Sequence, residues 1–134
     1  HVRDGLAIAR AVECGVQVAF VSSRESEAVA RRAVELSVVH CLQGCRDKRA
    51  ALIALQQQLA CTPDDCAYVG DDLVDLPAFE VVGLRIAVAD AAVELKQQAD
   101  LVTAAAGGRG AAREVLELIL KAQDQWPPAQ QTAS

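Results

Sequence analysis

Short apolar runs alternate along this chain with longer stretches in which apolar residues recur every three or four positions. The runs have the length and composition of buried strands, whereas the longer stretches have the spacing of amphipathic helices. This alternation predicts βαβ units, and therefore a parallel sheet covered by helices in one α/β domain. The predicted strands are 16–21, 38–42, 66–69, 84–89 and 101–103.

Six helices are predicted between and beside these strands. Gly15 is expected to close the first of them, because glycine favours the backbone conformation that ends a helix. The domain is predicted to end at residue 123. The polar, proline-containing segment 124–134 is expected to be a disordered tail. The predicted helices after the first are 29–36, 48–59, 73–82, 91–98 and 111–122.

Three aspartates follow the strand predicted at 66–69. Asp71 and Asp72 come directly after it and Gly70, and Asp75 lies three residues further on. Ligands of open α/β sheets bind at the carboxyl ends of strands. Two adjacent carboxylates repel each other unless a cation compensates, and hard oxygen ligands suit Mg²⁺. In the alternative interpretation Asp72 caps the next helix and Asp75 balances its dipole, which leaves Asp71 without a role.

Composition narrows the functional classes. The 134 residues are 52% hydrophobic but only 3% aromatic, so Ala, Val and Leu are expected to build the core. The net charge is −5 and no run of Lys or Arg exceeds two residues, which argues against nucleic acid or an anionic membrane as a partner. No apolar run approaches the length of a membrane span, and no signal-peptide pattern is present. These features predict a cytoplasmic protein.

The five cysteines are odd in number, and none lies in a CxxC motif. Reduced thiols in a cytoplasmic protein are the simpler interpretation. The alternative is a zinc site made of four cysteines, with His40 as a further ligand. The two cysteine pairs are separated by three and four residues instead of the two that zinc sites prefer. The four are Cys41, Cys45, Cys61 and Cys66.

Three more polar positions fall at predicted strand or helix ends. Ser22 follows the first strand, where its hydroxyl could hold a phosphate oxygen or, alternatively, form a capping box with Glu25. Lys48 falls in the first turn of its helix, where a cation is electrostatically disfavoured, and this hints at a functional role. Arg109 lies in a Gly-Gly-Arg-Gly segment before a helix start, where free backbone N–H groups could bind an anion. The alternative for that segment is a flexible hinge.

Together these positions resemble the haloacid dehalogenase superfamily of aspartate-nucleophile phosphatases, over residues 1 to about 123. Within it, the similarity is to phosphatases of phosphorylated eight- or nine-carbon sugar acids, which serve lipopolysaccharide biosynthesis. The motifs that carry the resemblance are Val2-Arg3-Asp4-Gly5, Gln43-Gly44, Lys48, Tyr68-Val69-Gly70-Asp71-Asp72-Leu73-Val74-Asp75-Leu76-Pro77, Val81-Val82-Gly83-Leu84, Ala87-Val88-Ala89-Asp90-Ala91 and Gly107-Gly108-Arg109-Gly110-Ala111-Ala112-Arg113-Glu114-Val115.

The resemblance implies a Rossmann-like three-layer fold and a reaction through an aspartyl-phosphate intermediate. By position, Ser22 corresponds to the residue that binds the phosphate. Lys48 corresponds to the residue that neutralises the phosphoryl group and steadies the nucleophile. Asp71 corresponds to the Mg²⁺ ligand, with Asp72 and Asp75 as the neighbouring acids that position the ion.

The resemblance also implies how the substrate is recognised. Arg109 corresponds to the segment that reaches a neighbouring subunit's active site in homo-tetramers of this type. Arg24 and Arg3 are further expected contacts of the sugar acid. The implied partners are therefore a small sugar phosphate and other copies of the chain, with Mg²⁺ as the cofactor.

Two departures from the family pattern matter. Ser23 stands where the family has Gly before Arg24, and its small side chain predicts a modest effect. The family's nucleophile and its acid/base lie in an Asp-x-Asp-Gly strand ahead of the region that matches His1, and no Asp-x-Asp occurs in this sequence. We therefore expect that central first strand to be missing from this chain, and the chain alone to hydrolyse nothing. The alternative is a non-catalytic scaffold or regulatory relative that keeps the fold and the oligomer interfaces.

Overall fold

The computed structural model describes residues 2–123, which form alternating helices and parallel strands. Each strand overlaps a predicted run and covers two to four residues. Four of the five are shorter than predicted, whereas the strand predicted at 66–69 has the predicted length and lies one residue later, at Ala67–Gly70. The helices are α1 (Val2–Glu13), α2 (Glu27–Glu35), α3 (Lys48–Leu59), α4 (Leu76–Phe79), α5 (Val93–Gln98) and α6 (Ala111–Ala122), and the strands are β1 (Ala19–Val21), β2 (His40–Leu42), β3 (Ala67–Gly70), β4 (Leu84–Ala87) and β5 (Leu101–Val102).

The strands form two parallel sheets. β1 pairs with β2, and β3, β4 and β5 form a second sheet in that order. Within residues 2–123, no ladder joins β1 to β3. The parallel pairing confirms the α/β class that the alternation of strands and helices predicts.

The largest apolar cluster joins β3 to four helices, α3, α4, α5 and α6. Leu52 of α3 and Phe79 of α4 pack with Tyr68 of β3, and Leu95 of α5 and Ala111 of α6 belong to the same cluster. The rings of Tyr68 and Phe79 meet edge to face at 6.3 Å between centroids. Two smaller clusters join α1 to α6 and α2 to β2. The core is thus built mainly from small aliphatic side chains, with few aromatic anchors.

The start of α2 differs from the capping box considered for Ser22. Ser26 is the N-cap of α2, and its hydroxyl accepts a hydrogen bond from the N–H of Val29 at 3.3 Å. The Ser22 N–H still donates to the carbonyl of Leu42, as a continuation of the strand pair. The capping-box alternative for Ser22 and Glu25 is therefore wrong, because the backbone at Ser22 follows the sheet and the helix begins five residues later.

The segment after Asp72 is also less helical than its apolar spacing predicts. A single 3₁₀ turn covers Leu73–Asp75, and α4 adds only one turn, which ends at Phe79. Pro77 lies in the first turn of α4, the only part of a helix that tolerates its missing N–H. The helix predicted at 73–82 is therefore wrong in length.

Residues 2–123 contain no helix that is both long and apolar enough to cross a membrane. The last helix, α6, ends at Ala122, close to the predicted domain boundary. The tail predicted to be disordered, residues 124–134, lies outside the described residues.

Candidate functional site

A pocket of about 300 Å³ lies at the carboxyl ends of β1, β3 and β4. Such strand ends are where ligands of open α/β sheets bind. Carboxylates, one ammonium and glycine backbone converge on the pocket, a polar set suited to an anionic ligand and a cation. It is lined by Val21, Lys48, Tyr68, Val69, Gly70, Asp71, Asp75, Val88, Asp90, Gly107 and Gly108.

Asp75 is the most buried charged group of this pocket, with 3% of its surface exposed. Its Oδ1 accepts hydrogen bonds from Lys48 Nζ at 2.7 Å and from the Tyr68 hydroxyl at 2.6 Å. Its Oδ2 accepts the backbone N–H groups of Asp71 at 2.9 Å and of Asp72 at 3.2 Å. Both oxygens are thus occupied by donors of the protein itself, so that Asp75 holds the other site residues in place.

These contacts also set the ionisation of Asp75. Burial alone would raise its pKa, but the hydrogen bonds from Lys48, Tyr68 and the two backbone N–H groups together lower that pKa below its ordinary value. The same arrangement raises the pKa of Tyr68, through burial and then through the Asp75 carboxylate. Asp75 is therefore a fixed negative charge, and Tyr68 a neutral hydrogen-bond donor.

Lys48 is buried, with 7% of its surface exposed, in the first turn of α3. Its ammonium forms an ion pair with Asp75, which lies 27 positions further along the chain. The neighbouring residue balances the positive end of the helix dipole, because the Asp47 carboxylate caps α3 by accepting the N–H of Ala50 at 3.1 Å. The start of the helix disfavours this cation, and the buried carboxylate of Asp75 compensates it, which the local sequence did not predict.

Asp71 lines the pocket, and its backbone N–H donates to Asp75. Partial burial and the nearby carboxylates of Asp75 and Asp72 raise its pKa, and Lys48 only partly opposes this. A carboxylate in such surroundings is short of positive charge. Asp71 is thus the oxygen ligand of the pocket that gains most from a bound cation.

Asp72 carries out the capping that the alternative interpretation assigns to it. Its carboxylate accepts the N–H of Leu73 at 2.7 Å, at the start of the 3₁₀ turn. It does not line the pocket. Capping by Asp72 and exposure of Asp71 to the pocket occur together, so the two interpretations of this acidic segment do not exclude each other.

Gly70 allows the close approach on which this geometry depends. A Cβ at this position would stand 2.8 Å from the Cβ of Asp75, closer than real Cβ contacts. Only glycine lets the end of β3 pack directly on the Asp75 side chain.

Among the remaining predicted site residues, Ser22 and Arg109 each follow a residue that lines the pocket. The Ser22 hydroxyl donates to the carbonyl of Arg24 at 2.9 Å and accepts the N–H of Arg24 at 3.2 Å. The preceding residue, Val21, lines the pocket, whereas Ser22 and Arg24 do not. Arg109 is exposed on the loop whose Gly107 and Gly108 line the pocket. The Arg3 side chain is outside the described part of the structure.

Sequence reasoning missed two pocket residues and one carboxylate outside it. Tyr68 is the only tyrosine of the chain, and a tyrosine inside a predicted buried strand signals a hydrogen-bond partner for its hydroxyl. Asp90 follows β4 as Asp71 follows β3, so the same strand-end argument would have found it. The role of Asp4 has no local signal, because its carboxylate accepts the N–H groups of Gly110 and Arg113 from across the chain.

The geometry also bears on which metal fits. All five cysteines are free and half-buried. Residues 2–123 contain no group of three or more His, Cys, Asp or Glu side chains placed to hold a metal ion. This does not support the zinc alternative, which needs four protein ligands. Mg²⁺ keeps several waters and takes only one or two carboxylates, so the Asp71 arrangement remains suited to it.

The sequence of this chain is similar to those of known phosphatases. The profile of the haloacid dehalogenase-like hydrolase family matches residues 44–115. The 3-deoxy-D-manno-octulosonate 8-phosphate phosphatase of Salmonella typhi is 47% identical over 123 residues, which are 92% of this chain. The chain spans 65% of the length of that relative.

Solved structures show the same similarity. The 3-deoxy-D-manno-octulosonate 8-phosphate phosphatase of Yersinia pestis superposes with a TM-score of 0.93 at 43% identity, covering 96% of this chain and 69% of the other. The enzyme of that name from Moraxella catarrhalis, solved with a magnesium ion, a phosphate ion and KDO, gives a TM-score of 0.91 at 41% identity. This match covers 95% of this chain and 73% of the other.

Proposed function

The chain belongs to the haloacid dehalogenase-like hydrolase family, and from this premise we propose that it is part of a magnesium-dependent phosphatase of 3-deoxy-D-manno-octulosonate 8-phosphate. The observation that carries the proposal is the convergence of Lys48, Asp71 and Asp75 on one pocket at the strand ends. The similarity to phosphatases of this substrate over 92% of the chain supports it. We place the protein in the cytoplasm, because five free cysteines fit a reducing compartment.

The donors of the pocket fit Mg²⁺. Asp71 offers a carboxylate whose nearby charges are mostly negative, and the ammonium of Lys48 is already bonded to Asp75. When bound, the ion would neutralise charge on the transferring phosphoryl oxygens. Asp75 would position the metal ligand Asp71 indirectly, because its Oδ2 accepts the backbone N–H groups of Asp71 and Asp72 in the loop that follows β3. Asp72 shapes the same loop by capping its turn.

Lys48 and Ser22 would bind the phosphoryl group. An ammonium has three donors, and Asp75 takes one from Lys48, which leaves donors for phosphate oxygens. Because its ion pair with Asp75 holds it in place, Lys48 would stabilise the negative charge that develops on the phosphoryl oxygens without having to move. The Ser22 hydroxyl now bonds the Arg24 backbone and would turn to a phosphate oxygen.

The carboxylates of the pocket are all committed to other roles. Asp75 accepts four hydrogen bonds, Asp90 accepts the N–H of Gly107, and Asp71 is the proposed metal ligand. We therefore infer that the nucleophilic Asp, and the Asp that protonates the sugar leaving group, come from outside these 134 residues. The first would attack phosphorus to form an aspartyl-phosphate, which water then hydrolyses.

Arginines around the pocket would recognise the sugar acid. A planar guanidinium binds carboxylate through two parallel hydrogen bonds. Arg24 and Arg109 are exposed near the pocket, and Arg3 is the third candidate. We propose that Arg109 acts in a homo-tetramer, at the active site of a neighbouring subunit.

Replacing Asp71 tests the proposed metal site. In the full-length protein, Asp71→Asn is expected to weaken Mg²⁺ binding by at least about tenfold, since even groups that only support a metal ligand contribute that much. Turnover should be abolished, while thermal unfolding without Mg²⁺ is unchanged or shifts upward, because a carboxylate with a raised pKa is removed. Titration calorimetry with Mg²⁺ and a phosphate-release assay measure both effects.

The matched control is Asp64→Asn, which removes an exposed carboxylate from the Pro63–Asp65 turn, outside the pocket. It should leave Mg²⁺ affinity and turnover as in the wild type. Magnesium-dependent turnover that survives in Asp71→Asn would falsify the proposed site.

A further inference from the structure

Carboxylates from separate elements hold both ends of the loop 104–110, which joins β5 to α6. At its start, Glu114 accepts the N–H of Ala104 at 2.9 Å and that of Ala105 at 3.0 Å. At its end, the buried Asp4 of α1 accepts the N–H of Gly110 at 3.1 Å. The loop is therefore anchored where it leaves β5 and where it enters α6.

The middle of the loop is held by Asp90. Its Oδ1 accepts the backbone N–H of Gly107 at 2.8 Å. This hydrogen bond spans 17 positions and ties the loop to the segment that follows β4. Asp90, Gly107 and Gly108 all line the pocket together with Lys48 and Asp71. The bond is thus part of the wall of the proposed active site.

The backbone beside this bond has a conformation that favours glycine. Gly108 and Gly110 have φ angles of +71° and +106°, a region that glycine enters freely. Arg109 lies between them. Without a tether, this stretch would have many conformations available to it, and an arginine on it would have no defined position.

The charges around Asp90 agree with a tethering role. The Gly107 N–H is the main reason that the pKa of Asp90 lies below its ordinary value, and the nearby charges of Lys96 and Arg109 lower it further. Arg109 therefore lies within electrostatic range of the carboxylate that holds its loop. Asp90 stays ionised and accepts the Gly107 N–H at neutral pH.

We propose that Asp90 is a positioning residue, which fixes the middle of the loop 104–110 and thereby sets the position from which Arg109 reaches the carboxylate of the substrate in a neighbouring subunit. This inference rests on the proposed function. It assigns Asp90 to neither the metal nor the phosphoryl group. Its effect is on the binding of the sugar acid, at a distance from the reacting phosphorus.

Two variants of Asp90 in the full-length enzyme test this. Asp90→Asn keeps a carbonyl oxygen that can accept the Gly107 N–H, whereas Asp90→Ala removes the acceptor. In Asp90→Ala, KM for the sugar-acid phosphate should rise about tenfold, the size expected of one hydrogen bond to a charged group. Turnover of p-nitrophenyl phosphate, which lacks the sugar acid, should change by less than about threefold. Asp90→Asn should restore most of the lost affinity.

A second measurement does not depend on activity. Amide hydrogen exchange of Gly107 should speed up about tenfold in Asp90→Ala and stay near the wild-type rate in Asp90→Asn. The matched control is Asp100→Asn, which alters another exposed carboxylate bonded to a backbone N–H, that of Arg85 at 2.9 Å, outside the pocket. It should change neither the kinetics nor the exchange of Gly107.

Three outcomes would overturn the inference. Equal losses on both esters, or a changed Mg²⁺ requirement, would place Asp90 at the reacting centre. Unchanged exchange of Gly107 in Asp90→Ala would show that the bond does not hold the loop. If the wild-type enzyme hydrolyses neither ester, the proposed function fails and the substrate role of Asp90 fails with it. The exchange experiment would then still decide whether the tether exists.

Discussion

At the scale of single residues, the buried ion pair of Lys48 and Asp75 is the main determinant of the site. The two side chains approach to 2.7 Å, and both are nearly inaccessible to solvent. Removing one member of a buried pair leaves the other charge without compensation, which costs more than the pair itself contributes. Stability and function therefore depend on the same contact.

Lys48→Ala should destabilise the protein by about 3–5 kcal/mol, since it leaves the Asp75 carboxylate buried with only neutral donors. The matched control is Arg49→Ala, which removes the next cation along α3, an exposed partner of Glu80 at 3.2 Å. Exposed pairs contribute about 1 kcal/mol or less, so this control should unfold almost as the wild type does. Urea titrations of both variants measure the difference. Equal midpoints for the two variants would mean that the Lys48 pair is not buried in solution.

The same pair has a defined pH dependence. The pKa of Asp75 is lowered in the folded protein. Its contribution to stability is therefore present above the unfolded pKa of about 3.9 and is lost as the pH falls through the lower, folded value. Lys48→Ala removes one cause of the lowered pKa, so that part of this acid dependence should disappear with it.

At the scale of helices and strands, local patterns were enough to predict which elements exist. Asp47 marks the start of α3 through a contact within three residues, and the Ala111–Ala122 helix has the predicted bounds, whereas the cap of α2 is Ser26 and not Ser22. Contacts across the chain were not predictable in this way. The burial of Lys48 depends on Asp75, 27 positions away. The cap of α6 is Asp4, 106 positions before Gly110.

Replacing Asp4 should show that a residue of α1 caps α6. Gly110, the N-cap of α6, has no side chain to satisfy the first N–H groups, and Asp4 accepts those of Gly110 and Arg113 instead. Asp4→Ala should cost about 1–2 kcal/mol in the free energy of unfolding, the upper range for loss of a helix cap. Amide exchange at Arg113 should accelerate. The control is Glu13→Ala, which changes an exposed residue of α1, the helix that contains Asp4. The assignment of Asp4 as the cap is wrong if the two variants unfold alike.

At the scale of the whole molecule, the two sheets leave strand edges unpaired within the described residues. Among the strands of residues 2–123, β1 pairs only with β2, and β3 only with β4. Val69 of β3 is 39% exposed, although it lies only two residues before the proposed metal ligand Asp71. Edges with free N–H and C=O groups tend to recruit another strand. On the resemblance, we expect a central strand with the nucleophile to lie between the strands before Ser22 and Asp71, where β1 and β3 do not pair.

The 134-residue chain should therefore hydrolyse no sugar-acid phosphate by itself. Lys48, Ser22 and a Mg²⁺ ion on Asp71 can bind phosphate, but every carboxylate that lines the pocket already has another role. The open edges of β1 and β3 should also make it self-associate, which size-exclusion chromatography with light scattering measures. A version extended upstream through an Asp-x-Asp-Gly strand should gain turnover and lose this tendency, because the added strand would pair both edges and supply the nucleophile. Turnover by the short chain comparable with that of the extended one would mean that the nucleophile lies within these residues, and the central assignment would be wrong.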